Sequence, residues 1–255
     1  MEELEISPLH ERILALVRKC PGRGRHCAIN AVDHVRKAWR LREIDPEMAI
    51  FRAITAEEES ATAIFYALVR RKYVGASKLR LDDHEHKAAV GPFLDALVEI
   101  VTDVPDAEPT VVLSRTPNGE RLFTRLSFVD ASGQKFVLYP LPPLSGGVSI
   151  NGDEEALGRE FDQALNRIAT RARATSIKKH VAGIKNERNK LLYASDRGVA
   201  RVRELQDWYF TQVRDRVFRN LITYLLIDQH AQKQEFAQEA LKAFLRIVWR
   251  ESRWS

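Results

Sequence analysis

Two charged residues sit where the spacing of their neighbours calls for apolar ones. Ile50, Ile54, Glu57, Ala61, Ile64 and Leu68 recur at steps of 4, 3, 4, 3 and 4, so they share one helix face, and only Glu57 among them is charged. Ile177, Val181, Ile184, Arg188, Leu191 and Ser195 repeat those steps, with Arg188 as the charged exception. Charges are almost never fully buried unless paired, because desolvating an ion costs several kcal/mol. An acid and a base on core-facing stripes are therefore expected to meet or to line one cleft. Arginine suits both roles better than lysine, since its planar fork grips a carboxylate or a phosphate at two points. The plainer outcome is a structural ion pair, or an arginine at the edge of its stripe reaching for water. Glu58 and Glu59 follow directly, so the inward position is fixed only to within one residue.

Arg188 belongs to the stretch KNERNKLLYASDRG, where Asn189 follows it and Tyr193 comes after three more residues. The surroundings are basic. Residues 159–203 hold twelve Lys/Arg against four Asp/Glu, a net of +8 in a chain of net +5, so the rest sums to about −3. A basic stripe confined to one segment is the usual footprint of a nucleic-acid contact. The candidate contacts are Arg171, Arg173, Lys178, Lys179, Lys185 and Lys190. The alternative is a solvated helix face that happens to be basic.

Other clusters are weaker. LDDHEHK places Asp82, Asp83, His84, Glu85 and His86 together, with Asp82 and His86 one helical turn apart. A metal site is conceivable there, but a helix cap with acids in its first turn accounts for the same residues. Cys20 and Cys27 with His26 fall short of a four-ligand zinc site and read as reduced thiols. GRGRH at 22–26 offers a short basic loop that can cradle a phosphate. No Ser–His–Asp order, P-loop or dinucleotide fingerprint is present, and no cofactor or metal is expected. Trp208, Tyr209 and Phe210 are consecutive on a helix, so at least one is expected to be exposed or at an interface.

These residues need helices to hold them. Helices are expected over 8–19, about 28–42, 45–73 with Asp45 as N-cap and Pro46 at its first position, and from Asp82 or Asp83 onward. PGRG is expected to break the first from the second. PTVVLSR, RLFTRLSFV and QKFVLYPL, parted by TPNGE and DASG, read as a three-stranded antiparallel meander. PLPPLSGG then forms a linker or a packed surface loop. Helices return over 154–195, 200–229 and 232–250, the last with Phe236, Ala240, Phe244 and Val248 on one stripe. The predicted fold is a mainly α bundle with a small β-meander insertion. It is organised as a helical half 1–104, an insertion 105–149 and a helical half 150–255 in one composite domain. No apolar run reaches the length of a membrane span, and the acidic start lacks the features of a signal peptide, so a cytoplasmic location is expected.

RNKLLYAS resembles the signature of the HEPN superfamily, helical proteins that include prokaryotic toxins and antiviral nucleases. That signature is an Arg, usually an Asn, a short spacer and a His, late in a long helix. Arg188 and Asn189 match it, and Tyr193 stands where the His belongs. The helix AITAEEESATAIFYAL is also similar to the Glu-rich helix of this superfamily, above all of abortive-infection V-like proteins. The resemblance covers about 60% of the chain and leaves the meander as an insertion. It implies metal-independent RNA cleavage at a site built from two chains, and thus a homodimer with an RNA substrate and a cognate antitoxin or defence-system partner. In that setting Arg188 stabilises the phosphate, Asn189 orients it or caps the helix, and Glu57 positions Arg188. Tyr193 donates a proton or hydrogen bond, with His180 a further contributor across the dimer. Tyrosine side chains titrate near pH 10, which makes them poor general bases at neutral pH. The competing expectation is a non-catalytic helical adaptor that binds nucleic acid or a partner protein through residues 159–203.

Overall fold

Helix starts follow the capping residues. The computed structural model describes residues 3–102, 107–117, 119–129, 132–145, 154–193, 198, 201–202 and 205–249. Ser7 Oγ accepts the His10 N–H at 3.3 Å, and Pro8 opens α1 (Pro8–Lys19). The second helix, α2 (Gly22–Leu41), begins directly after Pro21 rather than near Ala28, so the GRGRH residues form its first turns instead of a loop. Gly24 packs closely there: a Cβ would meet the Tyr224 ring at 3.0 Å, so the ring would have to shift. Asp45 Oδ1 accepts the Met48 N–H at 3.0 Å at the head of α3 (Pro46–Arg70). Asp83 Oδ1 takes the Glu85 N–H at 2.8 Å and starts α4 (His84–Thr102).

The expected meander is present as β1 (Ala107–Thr116), β2 (Gly119–Val129) and β3 (Lys135–Leu138), antiparallel in the order β1-β2-β3. Thr116 pairs with Gly119 at one turn and Val129 with Lys135 at the other.

The single helix expected over 154–195 is two: α5 (Glu154–Arg171) and α6 (Ile177–Leu192). The break comes where Arg173 adopts φ 55° and the Ala174 N–H turns back to Ala169 O at 2.9 Å. Ser176 Oγ then accepts the Lys179 N–H and restarts the helix. The last two helices are α7 (Asp207–Asp228) and α8 (Glu235–Trp249). The chain is thus mainly α, 67% helix, with a three-stranded insertion between α4 and α5, as predicted. Ser195 and the parts of the sequence stretches that fall at 103–106, 118, 130–131, 146–153, 194–197, 199–200, 203–204 and 250–255 lie outside the described residues. Among the described residues no helix is long and apolar enough to cross a membrane.

The chain divides into two compact units, each assembled from separate segments. The first comprises 1–67, 80–91 and 181–224; the second comprises 68–79, 92–180 and 225–255. The expected halves 1–104 and 150–255 each contribute to both.

In the first unit α3 is central. Its deepest line is Ala49, Ala53, Ala56, Ser60 and Ala63, one residue away from the isoleucine stripe read from the sequence. Small side chains let neighbouring helices approach closely, and a hydrophobicity reading that favours Ile over Ala misses them. Glu58, Thr62 and Phe65 on another side are buried as well, so the middle of α3 is enclosed on several faces.

In the second unit Phe93 stacks on Phe161 at 5.2 Å and meets the edge of Phe244 at 5.3 Å. Gln234 is fully buried. It accepts the Leu144 N–H at 2.7 Å and donates to Leu226 O at 2.8 Å, which fixes PLPPL as a packed loop.

Candidate functional site

The glutamates at 57, 58 and 59 of α3 address different neighbours within the first unit. Glu57 accepts from Arg216 of α7, with Nε at 2.9 Å and Nη2 at 2.6 Å. Glu58 is 7% exposed and faces α4 and α6. Glu59 lies beside Cys27 of α2, where burial first and then the Glu59 carboxylate push the thiol up to about 12. Successive helical residues are rotated by about 100°, so a run of charges on a central helix fans out to separate partners. Beside Glu57, burial and then that carboxylate raise the Tyr209 phenol to about 12.

Glu58 is the focus of the cluster. His84 Nδ1 lies 2.9 Å from both of its carboxylate oxygens. Arg188 Nε stands 3.9 Å from Oε2, and its guanidinium lies over the Phe51 ring, 5.0 Å from the centroid. Arg188 Nε is buried, yet it makes no hydrogen bond among the described residues. One turn earlier on α6, Lys185 Nζ reaches Glu85 Oε2 at 3.4 Å. Arg188 is therefore held inward by an aromatic face and an acid that leave its Nε–H without an acceptor among the described residues. Glu57, expected to position Arg188, binds Arg216 instead; Glu58, one residue further on, is the acid near Arg188.

The other motif residues do not converge with Arg188. Asn189 is exposed, and Tyr193 is 67% exposed at the end of α6, about 140° round the helix from Arg188. The Tyr193 N–H closes the last turn on Asn189 O at 3.0 Å. His180 sits in the first turn of α6, in the second unit, with its pKa lowered by burial and partly restored by Asp95.

The basic candidates are surface side chains, some of them in ion pairs. Arg171 pairs with Glu99, as Arg167 does at 3.2 Å, and Lys190 pairs with Glu187 at 2.6 Å. Arg173, Lys178 and Lys179 are exposed.

The acidic, histidine-bearing stretch at the head of α4 serves this framework. Asp83 caps the helix, His84 binds Glu58, and buried His86 accepts the Arg80 N–H at Nδ1, 3.2 Å away. Among the described residues no group of three or more metal-ligating side chains is assembled. His84 carried no sign of its role in the sequence, because its partner lies 26 residues away on another helix.

No family model matches the chain, and no curated protein and no solved structure matches it.

Proposed function

We propose that the chain is a HEPN-like, metal-independent endoribonuclease or toxin acting in the cytoplasm, in a prokaryotic defence or toxin–antitoxin setting. The observation that carries this reading is Arg188: a fixed, inward guanidinium with a buried Nε that lacks a hydrogen-bond partner among the described residues. The side chain keeps 21% exposure, and through that open part of the guanidinium it would donate to a phosphate oxygen and stabilise charge built up on phosphorus during cleavage, with the buried Nε holding the group in place. Lys185, on the same side of α6 and in contact with Glu85, adds positive charge beside it. Asn189 and Tyr193 point outward, so in this reading they act on RNA held by a second copy. The dimer axis would then pass near the end of α6, where Leu192 and Tyr193 are exposed. Light scattering tests the dimer.

A second reading has its own support. Asn189 and Tyr193 do not share a surface with Arg188, and Arg173, Lys178 and Lys179 are exposed. That combination suits an adaptor that binds RNA or a cognate partner protein without cutting.

Incubation with mixed-sequence RNA in EDTA separates the two. The ribonuclease reading expects cleavage that survives chelation and falls about 10²-fold or more in Arg188→Ala. RNA binding with no cleavage at any concentration removes it in favour of the adaptor.

A further inference from the structure

Resting on the ribonuclease reading, we infer that His84 is the proton-transfer residue of this site and that Glu58 is the residue that positions it. Tyr193 is a poor base by its chemistry and is turned away from Arg188, so the motif alone leaves proton removal without an agent. The pair at Glu58 supplies one. An ionised carboxylate only accepts hydrogen bonds, so the His84 nitrogen held 2.9 Å from both oxygens, Nδ1, carries the hydrogen. In the neutral ring that arrangement selects the Nδ1–H tautomer and leaves Nε2 with the lone pair. The His84 side chain is 36% exposed while that of Glu58 is 8% exposed, so the ring reaches solvent from a buried anchor. Among the described residues the ring makes no other hydrogen bond.

The placement relative to Arg188 completes the argument. The same Oε2 that holds His84 Nδ1 lies 3.9 Å from Arg188 Nε. A base and a phosphate-binding cation therefore flank one buried carboxylate. The backbone at His84 is also anchored, because Asp83 Oδ1 caps α4 by accepting the Glu85 N–H at 2.8 Å.

The step balances without any further reactant. His84 Nε2 takes the proton of a ribose 2′-hydroxyl, and O2′ forms a bond to phosphorus. The P–O5′ bond breaks, O5′ takes a proton from solvent, and His84 later returns its own proton to solvent. The products are a 2′,3′-cyclic phosphate and a 5′-hydroxyl, with no water consumed. Arg188 faces the phosphate throughout.

The test uses the full chain, a mixed-sequence 40-nucleotide RNA and EDTA, with rates taken per folded molecule. His84→Asn keeps an N–H donor for Glu58 but has no ring nitrogen to accept a proton. We expect it to melt and bind RNA as the wild type does while cleaving about 10²-fold more slowly or worse. His84→Ala should be as slow, and added imidazole should restore part of its rate, which a purely structural role would not allow. Glu58→Gln should lower the cleavage rate without weakening RNA binding, since it removes an anion beside Arg188. Cleavage at the wild-type rate by folded His84→Asn would overturn the assignment and leave Arg188 as a phosphate ligand. A wild type that binds RNA but never cuts it would remove the ribonuclease reading and this assignment with it.

Discussion

Glu58 and Arg188 face each other at 3.9 Å across α3 and α6 without a hydrogen bond, while His84 takes both oxygens of the same carboxylate. The acid is thus shared unequally: bound by the imidazole, merely near the guanidinium. An Arg–carboxylate pair built only for stability would close to a forked contact below 3 Å. Here the fork stays open, and the aromatic face of Phe51 fixes its direction.

This asymmetry separates two neighbouring glutamates by stability. Glu58→Ala removes a buried acid shared by His84 and Arg188 and should cost about 2 kcal/mol, below the 3–5 typical of fully buried pairs because both partners reach solvent. Glu57→Ala opens a half-exposed pair with Arg216 and should cost about 1 kcal/mol or less. Urea unfolding of both variants checks the order; a larger loss at position 57 would contradict it.

Several histidines are kept neutral by burial, and this sets an acid limit. His10, His34 and His86 have their pKa lowered below the ordinary value, chiefly by desolvation. The unfolded chain therefore takes up protons first as pH falls through about 6.5. Stability should be full above that point and decline between it and the lowered folded values, so melting temperature should drop from pH 7 to pH 5. His86 accepts the Arg80 N–H, so His86→Asn, whose amide oxygen can accept in the same place, should flatten part of that slope.

The break between α5 and α6 is held by a residue poorly suited to it. Arg173 sits in the left-handed region that glycine adopts freely. Arg173→Gly should stabilise the fold by about 0.5 kcal/mol, and Arg173→Val should destabilise it by about 1 kcal/mol. Thermal melts of the two variants should move in opposite directions.

The same helices predict which cations matter for RNA. Lys179 is exposed, whereas Arg171 is engaged by Glu99. Lys179→Glu should weaken RNA binding and reduce its salt dependence more than Arg171→Glu does, because releasing a counterion requires a charge that can reach a phosphate. Filter binding at two salt concentrations measures both.

Much of the fold was legible in the sequence. Caps at Asp45 and Asp83, the change of period at the meander and the apolar stripes placed most elements within a few residues. The break at Arg173 was not, because nothing in ARATS forbids a helix and the Ser176 cap is a local choice. The site was half legible. Arg188 stood out as a charge on an apolar stripe, but its acid was offset by one residue, since the middle of α3 is enclosed on several faces and Glu58 is buried on one that the isoleucine stripe does not mark. His84 was invisible in that role, because a pair formed between helices leaves no trace in local spacing.

The central claim is that the residues around Glu58 cut RNA without a metal, and the ends of the products test it most directly. RNA should be cleaved in EDTA to fragments ending in 2′,3′-cyclic phosphate and 5′-hydroxyl, and the same sequence made with 2′-deoxyribose should remain intact. Fragments with 3′-hydroxyl and 5′-phosphate ends, cleavage of the deoxy strand, or no cleavage at all would contradict it.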